Sequence, residues 1–170
     1  MNRESFWDYS LTHYALPGVA ESCLRLQDEY GLDVNLVLCC LWYGYAYGEL
    51  SRPQLECLTA YSDKWSGQVV RPLRQIRRWL KAELSNSEQS GTELVNLRTQ
   101  VKKLELQAEH LQQNNLEALL APLAPDTASA GRAGMENNLE RYLLLAGLKT
   151  DASLQQLLNS LLETFACESR

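Results

Sequence analysis

From Val34 to Tyr43 the chain is apolar at nearly every position. A helix that is apolar on all sides has no solvent face, so it must lie at the centre of other helices. The whole apolar stretch, Leu36 to Tyr47, is too short for a bilayer, which needs roughly 20 residues. No membrane span or membrane partner is expected. Asp33 is placed to cap the N-terminus of this helix, and Gly31 just before it suits a left-handed end to the preceding one. Gly44 and Gly48 fit either a close helix approach or a stop.

Helical period and punctuation recur along the rest of the chain. Asn2 or Ser5 caps a short first helix carrying Phe6, Trp7, Tyr9, Leu11 and Tyr14. Pro17 opens a second, with Val19, Cys23, Leu24, Leu26 and Tyr30 as its apolar positions. Ser51 and Pro53 restart the chain as a fourth, and Trp65 and Gly67 mark a junction. A fifth helix is expected from about Gln68 to Leu84, with Val69, Leu73, Ile76, Leu80 and Leu84 within an ~80° arc. After a polar loop at 85–92, a long helix from about Glu93 to Leu120 carries Leu94, Leu97, Val101, Leu104, Ala108, Leu111 and Asn115 in steps of three and four. That is a heptad seam. It predicts an antiparallel hairpin over 68–121.

Residues 122–134 are rich in Pro, Ala, Ser and Gly and read as a linker. A C-terminal helical pair follows over 135–170. The first of the two carries Leu139, Tyr142, Leu143 and Ala146. The second carries Leu154, Leu157, Leu158, Leu161, Leu162 and Phe165, a face suited to packing on this chain, on a second copy or on another protein. Ser153 and Gln156 form a candidate capping box at its start. The expected fold is an all-α bundle of six to eight helices with a long hairpin, its first unit spanning 1–121.

The chain is acidic overall, yet residues 64–81 hold six bases and no acid. Arg71, Arg74, Arg78 and Lys81 fall within an ~80° arc of the fifth helix, away from its apolar stripe, and Arg77 lies beside that stripe. A guanidinium row of this kind can clamp phosphates or carboxylates, with Trp79 as a stacking face for a base. The alternative is pairing with Glu105 and Glu109 across the hairpin, which fixes register as much as stability.

Other chemistry is poorly supplied. The two histidines, His13 and His110, lack the spacing to glutamate that a di-iron bundle needs, and no metal or other cofactor is expected. Cys23, Cys39, Cys40, Cys57 and Cys167 include no CxxC pair and read as reduced thiols of a cytoplasmic protein. Cys39 and Cys40 lie in the most apolar helix, which raises a thiol pKa instead of activating it. Cys57 is the better placed of the five for nucleophilic chemistry. Trp42, Tyr43, Tyr45 and Tyr47, with Trp7, Tyr9 and Tyr14 near them, suit core packing before they suit a ligand pocket. No apolar signal segment follows the early charges Arg3, Glu4 and Asp8.

Three passages together resemble a known family. They are FWDYSLTHYALPGVAESCLRLQDEYGLDVNLVLCCLW at 6–42, Trp65 with the run Val69 to Lys81, and KKLELQAEHLQQNNLEAL at 102–119 followed by Asn138, Leu139 and Tyr142. The chain thereby resembles an uncharacterised family of small helical proteins of unknown function, mainly from gammaproteobacteria. The resemblance covers roughly the first 145 residues and leaves the last helix outside. It implies a bacterial cytoplasmic helical protein and no particular activity.

The expected function is therefore a non-enzymatic interaction or adaptor protein acting on a protein partner or on itself. The alternatives are an RNA- or polyanion-binding module using Arg71, Arg74, Arg77, Arg78 and Lys81, and an enzyme whose residues form no recognised motif.

Overall fold

Helix follows helix through the chain, and no strand occurs among the described residues. The structure, a computed structural model, describes residues 4–86, 91–121 and 127–167. The helices are α1 (Phe6–Tyr14), α2 (Val19–Tyr30), α3 (Val34–Ala46), α4 (Arg52–Trp65), α5 (Arg71–Asn86), α6 (Thr92–Leu120), α7 (Arg132–Leu145) and α8 (Ala152–Cys167). A π turn at Ser66–Val70 joins α4 to α5 without a break, so the junction expected at Trp65 and Gly67 is a change of helical winding.

The caps follow the sequence. Ser5 Oγ accepts from the Asp8 N–H at 3.1 Å, Gly31 closes α2 at φ 69°, and Ser51 forms a capping box with Gln54. One cap differs. Asp151, not Ser153, starts α8, its Oδ1 accepting from the Leu154 N–H at 2.8 Å. Ser153 Oγ instead accepts from Arg25.

Helix α3 is the axis of the bundle, with Leu36, Val37, Leu38, Cys39, Cys40 and Leu41 all buried. Around it one core gathers residues from α1, α2, α4, α7, α8 and the last turns of α6, Leu116 and Leu120. Helix α7 packs chiefly on α3. Residues 127–134, expected within the linker, form a 3-10 turn at Thr127–Ser129 and the first turn of α7. There the Gly131 N–H donates to the Gly44 carbonyl at 3.0 Å. Residues 122–126 lie outside the described residues. Asn138 then ties α7 to the end of α3: its Nδ2 donates to the carbonyls of Cys40 and Gly48, and its Oδ1 accepts from the Leu50 N–H at 2.7 Å.

The leucine face of α8 belongs to this same core. Leu154, Leu157, Leu158, Leu161, Leu162 and Phe165 are all buried. Phe165 stacks on His13 at 4.5 Å and approaches Tyr9 at 5.8 Å. The partner-helix reading of this face is therefore overturned, because burial in the chain's own bundle leaves it no surface to offer.

The hairpin of α5 and α6 forms an arm. Its buried residues Val70, Leu80, Val101 and Ala108 make a seam outside the main core. The register of α6 differs from the leucine pattern. Val101, Glu105, Ala108, Gln112, Leu116 and Leu120 face inward, whereas Leu97, Leu104 and Leu111 are about half-exposed. Polar residues can take inward positions because each is met by a partner from another helix.

Candidate functional site

The inward face of the arm is ionic. Arg74 Nε donates to Glu105 Oε1 at 3.0 Å and its Nη2 donates to Glu109 Oε1 at 2.7 Å. Its Nη1 donates to Gln27 of α2. Arg77 makes a forked pair with Glu105, through Nε to Oε2 and through Nη2 to Oε1 at 3.1 Å. Glu105 thus serves two guanidiniums from adjacent turns of α5, the pairing that the charge pattern suggested. Arg78 pairs with Asp28 of α2 at 2.9 Å, a partner the hairpin alone does not reveal. Arg71 and Lys81 have no ion-pair partner among the described residues.

The two carboxylates are shifted in opposite directions. Burial pushes Glu105 up, but the hydrogen bonds from Arg77 and Arg74 outweigh it and hold the group below the usual glutamate value. Burial dominates at Glu109, whose single guanidinium contact is opposed by the charge of Glu105, and its pKa is raised. Tyr14 nearby is pushed up to about 12, chiefly by burial.

Beside this ionic face runs a chain of amides. Asp33 Oδ2 accepts from Ser62 Oγ at 2.6 Å and from Gln112 Nε2 at 2.9 Å. Gln112 Oε1 accepts from Asn35 Nδ2, and Asn35 Oδ1 accepts from Gln113 Nε2, each at 2.8 Å. Nothing in the local sequence marks this network. Its members lie on α3, α4 and α6, and only the tertiary fold brings them together.

Both features border one cleft of about 860 Å3 between α1 and α2 on one side and α5 and α6 on the other. Leu11, Tyr14, Leu24 and Leu106 supply apolar wall, and Arg71, Arg78 and Lys102 supply cations. The charge pattern of the sequence marks the arginines but not the opposing wall from α1 and α2.

The far flank of the arm is different. Ile76, Leu97, Leu104 and Leu111 are about half-exposed there, and Trp79 is 61% exposed. None of these five lines the cleft. Trp79 is thus no part of the cleft wall that the arginines form. Helical spacing places the uncharged Gln100 and Gln107 beside these leucines.

The remaining candidates resolve simply. Cys23, Cys39 and Cys40 are buried, and Cys57 and Cys167 are exposed free thiols. Burial pushes the Cys40 thiol up to about 12 and Cys39 well above its ordinary value. Among the described residues no three His, Cys, Asp or Glu side chains form a metal-binding group, and no helix is long and apolar enough to cross a membrane. Trp42 packs with Phe6 and Tyr47 at 5.2 Å each. Trp7 stacks instead on His110 at 4.1 Å.

A family model described as "Protein of unknown function (DUF2390)" matches residues 5–116, and the chain belongs to that family. The match takes in both walls of the cleft and ends at Leu116. Asn138, Leu139 and Tyr142 lie beyond it. No curated protein and no solved structure matches the chain.

Proposed function

We propose that this member of a family of unknown function is a non-enzymatic interaction protein of the bacterial cytoplasm. Its contact surface is the apolar flank of the α5/α6 arm, and its partner contributes an apolar helix in trans. The observation that carries this reading is the row Leu97, Leu104 and Leu111, about half-exposed and seven residues apart, with Ile76 and Trp79 also exposed on α5. Seven-residue spacing is what a packed neighbouring helix requires. The α5 seam uses Val101 and Ala108, so the leucine register of α6 is left for a second contact. Exposed apolar rows of this kind suit interaction sites, and tryptophan is prominent among residues that dominate their energy. Five free thiols suit a reducing compartment.

The polyanion reading draws on fewer cations than the sequence offered. Arg74, Arg77 and Arg78 are committed to carboxylates, which leaves Arg71 and Lys81 of the original five.

A photo-crosslinking residue at Leu104, compared in cells with one at Glu140 of α7, tests the reading. Crosslinks at position 104 to one protein or to a second copy, resistant to nuclease and lost on Trp79→Glu, are expected. A position 104 that captures no more than position 140, in a chain that sediments as a monomer, rules the arm surface out. Crosslinks to nucleic acid, with a mobility shift at ~50 mM salt, transfer the function to the polyanion reading.

A further inference from the structure

The amide chain at Asp33 has a direction. A carboxylate only accepts hydrogen bonds, so Gln112 must present its Nε2 to Asp33. The Oε1 of Gln112 is then fixed as the acceptor for Asn35, and the Oδ1 of Asn35 as the acceptor for Gln113. No amide in the chain can flip without breaking its neighbour's bond. Donation runs from Gln113 to Asp33, and the end remote from Asp33 is Gln113 Oε1, an acceptor with no partner, on a side chain only 3% exposed. Gln113 lines the cleft. Ser10 Oγ, buried and also without a partner, lines it from the α1 side. A buried unmet acceptor costs about 1–3 kcal/mol, and a polarised chain concentrates that demand at its end.

The cleft also offers the opposite kind of group. Arg71 lines it and has no ion-pair partner among the described residues. Half-exposed Leu11, Leu24 and Leu106 form the apolar wall. A ligand that satisfies all three features carries a hydrogen-bond donor, an anionic oxygen and an apolar group. The last residue of a peptide has that combination: a backbone N–H, a carboxylate and a side chain. Free carboxylates of chain termini are a recurring recognition target, and a guanidinium meets them with two parallel bonds. The volume is within the range of ligand clefts.

We propose that the cleft between α1/α2 and α5/α6 binds the carboxyl terminus of a peptide ending in an apolar residue. Gln113 Oε1 accepts its terminal N–H, Arg71 takes its carboxylate, and Leu11, Leu24 and Leu106 receive its side chain. The proposal is independent of the arm's apolar flank, so either can fail alone.

Three small probes test it by NMR on the full chain: N-acetyl-leucine, its methyl ester, and 4-methylpentanoate, which keeps the chain and carboxylate but lacks the N–H. N-acetyl-leucine is expected to move the Gln113 side-chain amide and the Leu24 and Leu106 methyl resonances, with a dissociation constant of about 2 mM, ordinary for a ligand of its size. The ester and 4-methylpentanoate should bind at least about fivefold more weakly, the scale of one hydrogen bond. Arg71→Gln, at an exposed position, should abolish the difference between acid and ester. No shift of cleft resonances by about 20 mM N-acetyl-leucine, ten times that constant, overturns the proposal. Equal binding of all three probes also overturns it, reducing the cleft to an apolar surface.

Discussion

Gly44 and Gly134 stand back to back where α3 crosses α7. A Cβ on Gly44 would lie 2.5 Å from the Met135 backbone nitrogen, and one on Gly134 would lie 2.6 Å from the Gly44 carbonyl oxygen. Both obstructions are backbone, so neither can rotate away. Gly44→Ala or Gly134→Ala must push the two helices apart and loosen the packing of Met135 and Leu139. A loss of about 3 kcal/mol or more is expected by chemical denaturation, at the upper end for overpacking. Gly67→Ala, with nothing within 4 Å of its Cβ, is the control. It should leave stability unchanged or raise it by up to about 1 kcal/mol.

Glu105 and Glu109 should respond to pH in opposite senses. The folded-state pKa of Glu105 is lowered, so its contribution is present above the ordinary value of 4.5 and is lost as pH falls through the depressed value. That of Glu109 is raised, so the folded state holds its proton longer. Stability is therefore lost as pH rises from 4.5 through the raised value. Glu105→Gln should cost about 2–3 kcal/mol at pH 7, because it leaves part-buried Arg77 without its carboxylate and Arg74 with Glu109 alone. Glu109→Gln should be neutral or stabilising at pH 7, and should flatten the decline in stability above pH 4.5. Denaturation midpoints of the two variants between pH 3 and pH 8 distinguish them.

The helix caps and the hairpin pairing were legible in the sequence because each is a short-range pattern. Asp33, Gly31 and Ser51 act through neighbours within a few residues, and Arg74 and Glu105 are aligned by the hairpin turn. Gly134 was hidden because small flexible residues look the same in a linker and in a tight helix crossing. What distinguishes them is Gly44, far away in the chain. The register of α6 was hidden for a related reason. Leucine count favours Leu97, Leu104 and Leu111 as the inward set, yet Glu105, Gln112 and Gln113 go inside because Arg77, Asp33 and Asn35 meet them there. The cleft needed α1 and α2 laid against the arm, which no local period specifies.

Phe165 tests whether α8 is an integral helix of the bundle. It is fully buried against Tyr9 and His13. Phe165→Ala should cost about 3–5 kcal/mol, the usual range for a buried aromatic, and Leu161→Ala about 2–5 kcal/mol. Leu104→Gln, on the exposed flank of the arm, should change stability by no more than about 0.5 kcal/mol. Thermal or urea denaturation of the three variants suffices. A neutral Phe165→Ala would mean that α8 does not hold its place in the core.

Asn138→Ala would leave the Leu50 N–H and the Cys40 and Gly48 carbonyls without their side-chain partner. A cost of about 3 kcal/mol is expected, from several unmet backbone groups. Hydrogen exchange should show the Leu50 amide losing its protection more than other core amides do.

The π turn at Ser66–Val70 is a gearing device. In such a turn the chain carries one residue more than an α-helix of the same rise, and the Arg71 N–H reaches back to the Ser66 carbonyl. Excising that single surplus residue would let α4 and α5 wind as one ordinary helix, and the residues on either side would nearly keep their faces, because the wide turn already takes up the extra one. Arg74 and Arg77 would stay turned toward Glu105. A one-codon deletion at the turn is thus one that the arm can absorb, whereas the same deletion in the middle of α5 would turn everything beyond it by about 100°.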